Sequence, residues 1–459
     1  MAQHEDAGQR RDSAEPPYPP IGYAWYVVAI LLILYILSFI DRQILSLLVG
    51  PIRKDLGISD TQMSLLMGFS FALFYTFFGI PLGRLADARS RRTIIAVGVL
   101  LWSIMTASCG FVRQYYQLLL CRMGVGVGEA ALSPAAYSLI TDYFPRHRLA
   151  TAISVYGMGI YVGSGLAYLL GGYVVQISMG QESVDLPLLG AMRPWQTVFL
   201  IVGIPGVLLS LLAYTIAEPA RRGKRAASTA GKSHAVALGQ VMTYIRQNFS
   251  TFFCHNIGFA LLALSSYGAA SWVPTFFVRV HGWTPSAAGM WYGLIVMLFG
   301  SMGIVFGGRL ADQLAQKGKI AARMGTGIIA AVAAMPFAIA YPLVPSGPMA
   351  MALMVPLVFT LAMPFGAAPA AIQEMMPNSM RGQASAIYLF VVNLIGMGMG
   401  PTAVALVTDY VFHDDNAVGY SLLIVGTSTS LVAALLLLAG LKPFVRSMRY
   451  LRAWEGEGA

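Results

Sequence analysis

Charge is scarce in this chain. Only 11% of its 459 residues are Asp, Glu, Lys or Arg, against about 25% in a soluble globular domain. A chain so poor in charge cannot cover a water-facing surface in the ordinary way. Cysteine is scarce too. Cys109, Cys121 and Cys254 are the three present, all in apolar stretches, which gives neither a disulfide framework nor metal-ligand spacing. His255 and His281 stand isolated, so no nucleophile–base or metal-spaced cluster supports a membrane enzyme. No strand precedes the glycines at 124, 126 and 128, so their G-x-G-x-G spacing is not a dinucleotide fingerprint. It reads as small residues permitting close helix packing, and ATP-driven pumping is not expected.

Apolar length is what the chain has. Hydrophobic residues make up 57% of it and the mean hydropathy is +0.67, values of an integral membrane protein. The formal charge of +10 then reads as basic loops that hold orientation, not as nucleic-acid binding. The polar, Pro-rich residues 1–20 read as a mobile cytoplasmic tail, not a cleaved leader.

A membrane span needs roughly 20 mostly apolar residues. Twelve stretches qualify, at about 23–50, 61–86, 93–112, 115–141, 149–178, 196–217, 249–279, 286–311, 322–344, 348–375, 382–411 and 419–441. The predicted fold is all-α, with a six-helix bundle over 21–217 and another over 248–442. A basic cytoplasmic linker at 218–247 joins them and a cytoplasmic tail at 443–459 follows. With both termini inside, 23 of the 30 Lys and Arg residues fall on inner segments, five on outer loops, and Arg42 and Arg122 within spans. That bias is the positive-inside pattern of a multi-pass protein in a cell (inner or plasma) membrane.

The halves repeat each other. GRLAD occurs at 83–87 and 308–312, PRHRLATAISVY at 145–156 is echoed by PNSMRGQASAIY at 377–388, and SPAAY at 133–137 by APAAI at 368–372. Parallel repeats of this kind build transporters whose site lies between two rocking halves.

These features resemble the major facilitator superfamily, whose loop between helices 2 and 3 reads roughly G-x-x-x-D-[RK]-x-G-[RK]-[RK]. GRLADARSRR at 83–92 matches at Gly83, Asp87, Arg91 and Arg92 and departs at Ala88 and Ser90, so the turn glycine is missing. Within the superfamily, YILSFIDRQ and RMGVGVGEAALSPAAYSLITDYFP (122–145) are similar to the spinster-type lipid transporters. The resemblance implies alternating access, a cavity lined by helices 1, 4, 7 and 10, an amphipathic and often anionic lipid-like substrate, and a monomer embedded in the bilayer.

Asp41 and Arg42 lie in the first span, Arg122 and Glu129 in the fourth. A charge in hydrocarbon costs about 3 kcal/mol or more, so these groups are expected to face water or each other. At about 1.5 Å per residue, Asp41 and Arg122 reach similar depth and can pair, and Glu129 lies near the midplane. A carboxyl in a low-dielectric cavity beside a guanidinium changes its proton affinity when solvent access changes. Asp41 and Glu129 are therefore the candidates for proton coupling, with protons as the coupling ion and no other cofactor. Arg122 and Arg42 stay charged and are candidates for tuning or for binding an anionic head group. The alternative is a static ion pair that fixes helix packing.

Phe74, Tyr75, Ser133, Tyr267 and Trp272 are candidate cavity residues, and no ionisable group stands at mid-depth in the C-terminal half. That asymmetry suits an amphipath. Gly83, Asp87, Arg91 and Asp312 are candidates for a cytoplasmic gate, where Asp meets helix N-termini and Arg pairs across the halves. Asp142, Glu218 and Glu374 are evenly placed between gate and solvated helix end. The function expected is secondary active transport, proton-coupled. A small organic anion importer, a uniporter and a non-transporting membrane sensor are the alternatives.

Overall fold

Backbone polar groups have no water to bond in hydrocarbon, so apolar stretches of this length satisfy them internally as helices. A computed structural model of the chain describes residues 18–178, 183–186, 190–219, 238–377 and 380–457. The side chains of a few helical residues, Asp87 among them, lie outside the described set. Among the described residues there are twelve helical spans: 1 (Ile21–Leu47), 2 (Asp60–Ala86), 3 (Arg91–Cys109), 4 (Tyr115–Tyr143), 5 (Thr151–Gln176), 6 (Pro194–Thr215), 7 (Phe249–His281), 8 (Pro285–Gln316), 9 (Ala322–Ala340), 10 (Gly347–Met375), 11 (Arg381–Phe412) and 12 (Asp415–Leu451). Both ends of an even number of spans lie on one side, here called the termini face; the opposite side is the far face.

Several spans are irregular where chemistry accumulates. Span 1 tightens from α-helix into a 3-10 turn at Ile44–Leu47, directly after Asp41 and Arg42. Span 4 is interrupted between Tyr115–Glu129 and Leu132–Tyr143. Pro134 explains that break, because it has no N–H to give the Ala130 carbonyl and its ring crowds it. Glu129 thus ends a helix inside the bundle. Span 2 carries a π-turn at Leu65–Phe69.

The two bundles meet along spans 5 and 8 and along spans 2 and 11, through glycines. A methyl placed on Gly165 would stand 2.8 Å from the Gly293 carbonyl oxygen and 2.6 Å from Met297 Cβ; one on Gly68 would stand 2.8 Å from the Met397 carbonyl. At these positions only glycine lets the two backbones approach so closely.

Two boundaries differ from expectation. The described part of the segment expected as a tail, 443–457, is helical: the last helix runs unbroken through Val418–Glu457. Phe444 and Leu451 are buried, seven residues apart and so on one face. That face packs beside Leu238–Gln247, a helix at the end of the expected linker. Tyr244 donates to the Met375 carbonyl at 2.9 Å and Tyr450 to Gln247 Oε1 at 2.6 Å. Most of the tail at 1–20 and most of the basic linker fall outside the described residues. A two-stranded hairpin, Val184–Leu186 against Gly190–Met192, caps the turn between spans 5 and 6.

Candidate functional site

The four embedded charges converge, but not as sequence neighbours. Arg122 Nη1 donates to Asp41 Oδ1 at 3.3 Å, and the Thr106 hydroxyl donates to Asp41 Oδ2. Arg42 Nε donates to Glu129 Oε2 at 2.6 Å, and the Ser38 hydroxyl donates to the same oxygen at 2.5 Å. Glu129 Oε1 is buried without a hydrogen-bond partner among the described residues, as is Arg122 Nη2. The π-turn of span 2 turns the Leu66 carbonyl toward Arg122, which donates to it through Nε at 3.4 Å.

Aromatic faces insulate the guanidiniums. Arg42 lies 4.8 Å from the Phe39 ring centroid, 4.7 Å from Phe71 and 4.8 Å from Tyr75, while Arg122 lies 5.7 Å from Phe71. Phe71 thus offers its ring to both cations. Exposure divides the roles: Glu129, Arg122 and Asp41 are shut off from solvent, whereas the Arg42 side chain remains 12% exposed.

That exposed fraction opens into a central cavity of about 320 Å³ between the two bundles, the size of a small-ligand pocket. Arg42, Gln43, Tyr75, Ser133 and Tyr137 supply its N-terminal wall; Tyr267, Leu357, Leu361, Phe365 and Asn393 stand on the other. Fixed charge sits on one wall and aliphatic surface on the other. The expected cavity residues Tyr75, Ser133 and Tyr267 are on the wall. Phe74 is not: its ring stacks on Phe78, with centroids 6.3 Å apart. Trp272 is not either. It is fully buried and its indole N–H donates to the Pro401 carbonyl at 2.9 Å, so it ties span 7 to span 11.

The expected gate residues also differ in arrangement. Arg91 is fully buried and bonds within its own half: to Glu218 Oε1 at 2.7 Å, to the Ser138 hydroxyl at 3.0 Å and to Asp142. Asp312 meets Arg323 at 3.8 Å and Arg323 meets Glu374, all in the other half. Arg91 does not pair across the halves because spans 3, 4 and 6 surround it. Burial alone would push the Glu218 carboxyl up. Bonds from Arg91, the Arg92 N–H and Ser90 outweigh that and hold it below the usual range. A side chain added at Gly83 would meet only Pro134 Cβ, at an ordinary 3.8 Å, so no close approach requires that glycine. Asp87 lies outside the described side chains.

Contacts between the halves that were not foreseen occur at the far face. Arg279 clamps Asp60 with two bonds, of 2.6 and 2.8 Å, and Arg53, which also meets Asp60 within its own half at 3.1 Å, reaches Asp415 at 2.5 Å. Asp409 accepts from the Thr61 N–H and hydroxyl, both at 2.7 Å. Ionic bonds thus close the far face, while among the described residues no ion pair joins the halves at the termini face. In sequence these residues look like ordinary loop charges. Ser38 and Thr106 were equally unmarked, being common residues in spans.

Comparison with known proteins bears on the family and the fold. The model of the Major Facilitator Superfamily matches residues 31–401. An MFS-type efflux pump of Mycolicibacterium smegmatis is 29% identical over 440 residues, covering 94% of each chain. Protein spinster homolog 1 of Bos taurus is 27% identical over 308 residues, 64% of this chain and 55% of that one. Among solved structures, a bacterial homologue of the human lysosomal transporter spinster, inward-facing and unoccupied, is 27% identical with a TM-score of 0.73 and covers 94% of this chain and 98% of its own. The chain belongs to the Major Facilitator Superfamily and is a multi-pass membrane transporter. Within that superfamily it is spinster-like.

Proposed function

We propose that the chain is a proton-coupled secondary transporter that moves an amphipathic, anionic, lipid-like substrate by alternating access. The observation that carries this reading is the position of Arg42, held by Glu129 on one side and exposed to the cavity on the other. A proton taken up by Glu129 cancels the charge that holds Arg42, and the guanidinium becomes available to an anionic head group. Loss of that proton to the other side returns Arg42 to the carboxylate and releases the anion. Proton and anion are loaded together, so by linkage each strengthens the other's binding. Asp41 and Arg122, both shut off from solvent, form the second pair and respond to the same helix movements.

The apolar wall of Leu357, Leu361 and Phe365 suits an acyl tail. With the far face closed ionically, the cavity's exchange route is the termini face, which the Lys and Arg bias assigns to the cytoplasm. One chain supplies both walls, consistent with a working monomer.

Thermal stabilisation of the purified protein by lysophosphatidylglycerol, sphingosine phosphate and benzoate, each at pH 6 and pH 8, tests the reading. The lipid anions are expected to stabilise most, and more at pH 6. Stabilisation by benzoate alone would support a small organic anion carrier, and equal effects at both pH values would support a uniporter.

A further inference from the structure

We propose that a groove between spans 9 and 12, at the termini face, holds the head group of an anionic phospholipid from the surrounding bilayer. The groove has a volume of about 730 Å³ and shares no wall residue with the central cavity. Its floor is apolar, with Ile328, Ile329, Leu438 and Leu441 among its residues, and its rim carries Lys319, Lys442, Arg446 and Arg449. Positions 442, 446 and 449 follow the i, i+4, i+7 spacing that puts side chains on one helix face.

None of these four cations has an ion-pair partner among the described residues, whereas neighbouring Arg323 is occupied by Asp312 and Glu374. Four cations around one groove repel one another unless an anion sits among them. The groove also receives the start of span 9. Ala321 stands at its N-cap with no side-chain cap and lines the groove beside Ala322. A helix start of this kind offers N–H groups and a positive dipole end to a phosphate.

The floor decides the kind of anion. It runs on into lipid-facing surface, where Ile329 is 43% exposed, Leu435 56% and Leu438 55%. A free phosphate would leave that apolar floor uncovered; a phospholipid lays its acyl chains along it. Basic pockets between spans near a membrane surface attract anionic head groups in this way. The chain's own linker is a poor occupant, because residues 219–237 contain basic residues and no Asp or Glu.

Native mass spectrometry of the full chain with phosphatidylglycerol or phosphatidylcholine of the same acyl composition tests the site. The tightest phosphatidylglycerol adduct is expected to weaken about thirtyfold in Arg446→Gln/Arg449→Gln, at roughly tenfold per 1.4 kcal/mol and about 1 kcal/mol per charge removed. Phosphatidylcholine binding is expected to stay unchanged. Arg84→Gln/Arg246→Gln, which removes two cations elsewhere on the same face, is expected to bind as the parent does. Arg446→Lys/Arg449→Lys keeps the charge and is expected to keep the adduct, so a fold lost on neutralisation does not leave the site unread. Phosphatidylglycerol binding unaffected by the Gln pair, an equal loss in the control pair, or equal preference for the two lipids would overturn the proposal. A dimer peak that phosphatidylglycerol disperses would overturn it too, by assigning the groove to a second copy.

Discussion

Asp41 and Arg42 are adjacent in sequence yet bind different partners: Arg122 takes Asp41, and Glu129 takes Arg42. Consecutive helical residues point about 100° apart, so the two side chains reach different neighbours. Two ion pairs with separate partners follow from one dipeptide. Removing one charge therefore strands one opposite charge and leaves the other pair intact.

Stranding is costly. Breaking a buried pair by deleting one partner costs about 3–5 kcal/mol. Arg122→Met is accordingly expected to lower the thermal midpoint sharply, because it leaves Asp41 without its cation. The double change Asp41→Leu/Arg122→Met is expected to recover most of the loss. A double-mutant cycle by thermal unfolding measures this, with a coupling of at least about 1 kcal/mol expected for groups in contact. Additive losses would mean the pair is not energetically joined.

The far-face closure is unequal in its parts. The Arg53–Asp415 bond involves a half-exposed carboxylate, and exposed pairs contribute only about 0.2–1 kcal/mol. Asp60 is fully buried and receives both arms of Arg279, a geometry that holds more strongly. Asp60→Asn is therefore expected to lengthen the distance between spin labels at Lys54 and Tyr410 across the far face, and Asp415→Asn to change it little. Equal responses would contradict this ranking.

Glu218 gives a pH signature outside the membrane. Its carboxyl is held below the ordinary Glu range, near 4.3 when unperturbed, chiefly by Arg91 against the opposing effect of burial. A depressed folded-state value contributes stability that is full above the unfolded value and is lost as pH falls through the folded one. The thermal midpoint is expected to decline as pH drops below about 4, and Glu218→Gln to flatten that decline while lowering the neutral-pH plateau. An unchanged acid limb in the variant would show that other groups carry it.

Gly165 tests the seam between the bundles. Any side chain there collides with the Gly293 carbonyl and Met297, and overpacking costs typically about 1–3 kcal/mol. Gly165→Val is expected to lower the thermal midpoint and abolish transport. Gly83→Ala, whose added methyl makes only an ordinary 3.8 Å contact with Pro134 Cβ, is expected to leave stability unchanged.

Much of this architecture is legible in sequence because hydrocarbon imposes a length and a polarity on every span. The twelve spans lie where the apolar runs predict, and the repeated GRLAD segments fall at matching positions in spans 2 and 8. Similar depth allows Asp41 to meet Arg122, as it does, but does not choose between Arg122 and Arg42 as its partner. Other contacts were hidden. Trp272 and Tyr267 are five residues apart on one span, and only helix rotation decides which reaches the cavity. Arg53, Asp60, Arg279 and Asp415 are separated by up to 362 residues, and nothing local distinguishes a latch from loop charges. The last helix outran its expected end beside Leu238–Gln247, where Phe444 shares a buried cluster with Val241 and Tyr244, and Tyr450 meets Gln247, a stretch that composition had marked only as linker.

The most direct measurement is proton movement into proteoliposomes, read by an interior pH dye while lysophosphatidylglycerol is offered, in the parent, Asp41→Asn and Glu129→Gln. Substrate-driven acidification is expected in the parent and is expected to vanish in Glu129→Gln and fall steeply in Asp41→Asn, with the lipid still bound. Undiminished proton flux in both variants would contradict the role given to these two carboxylates.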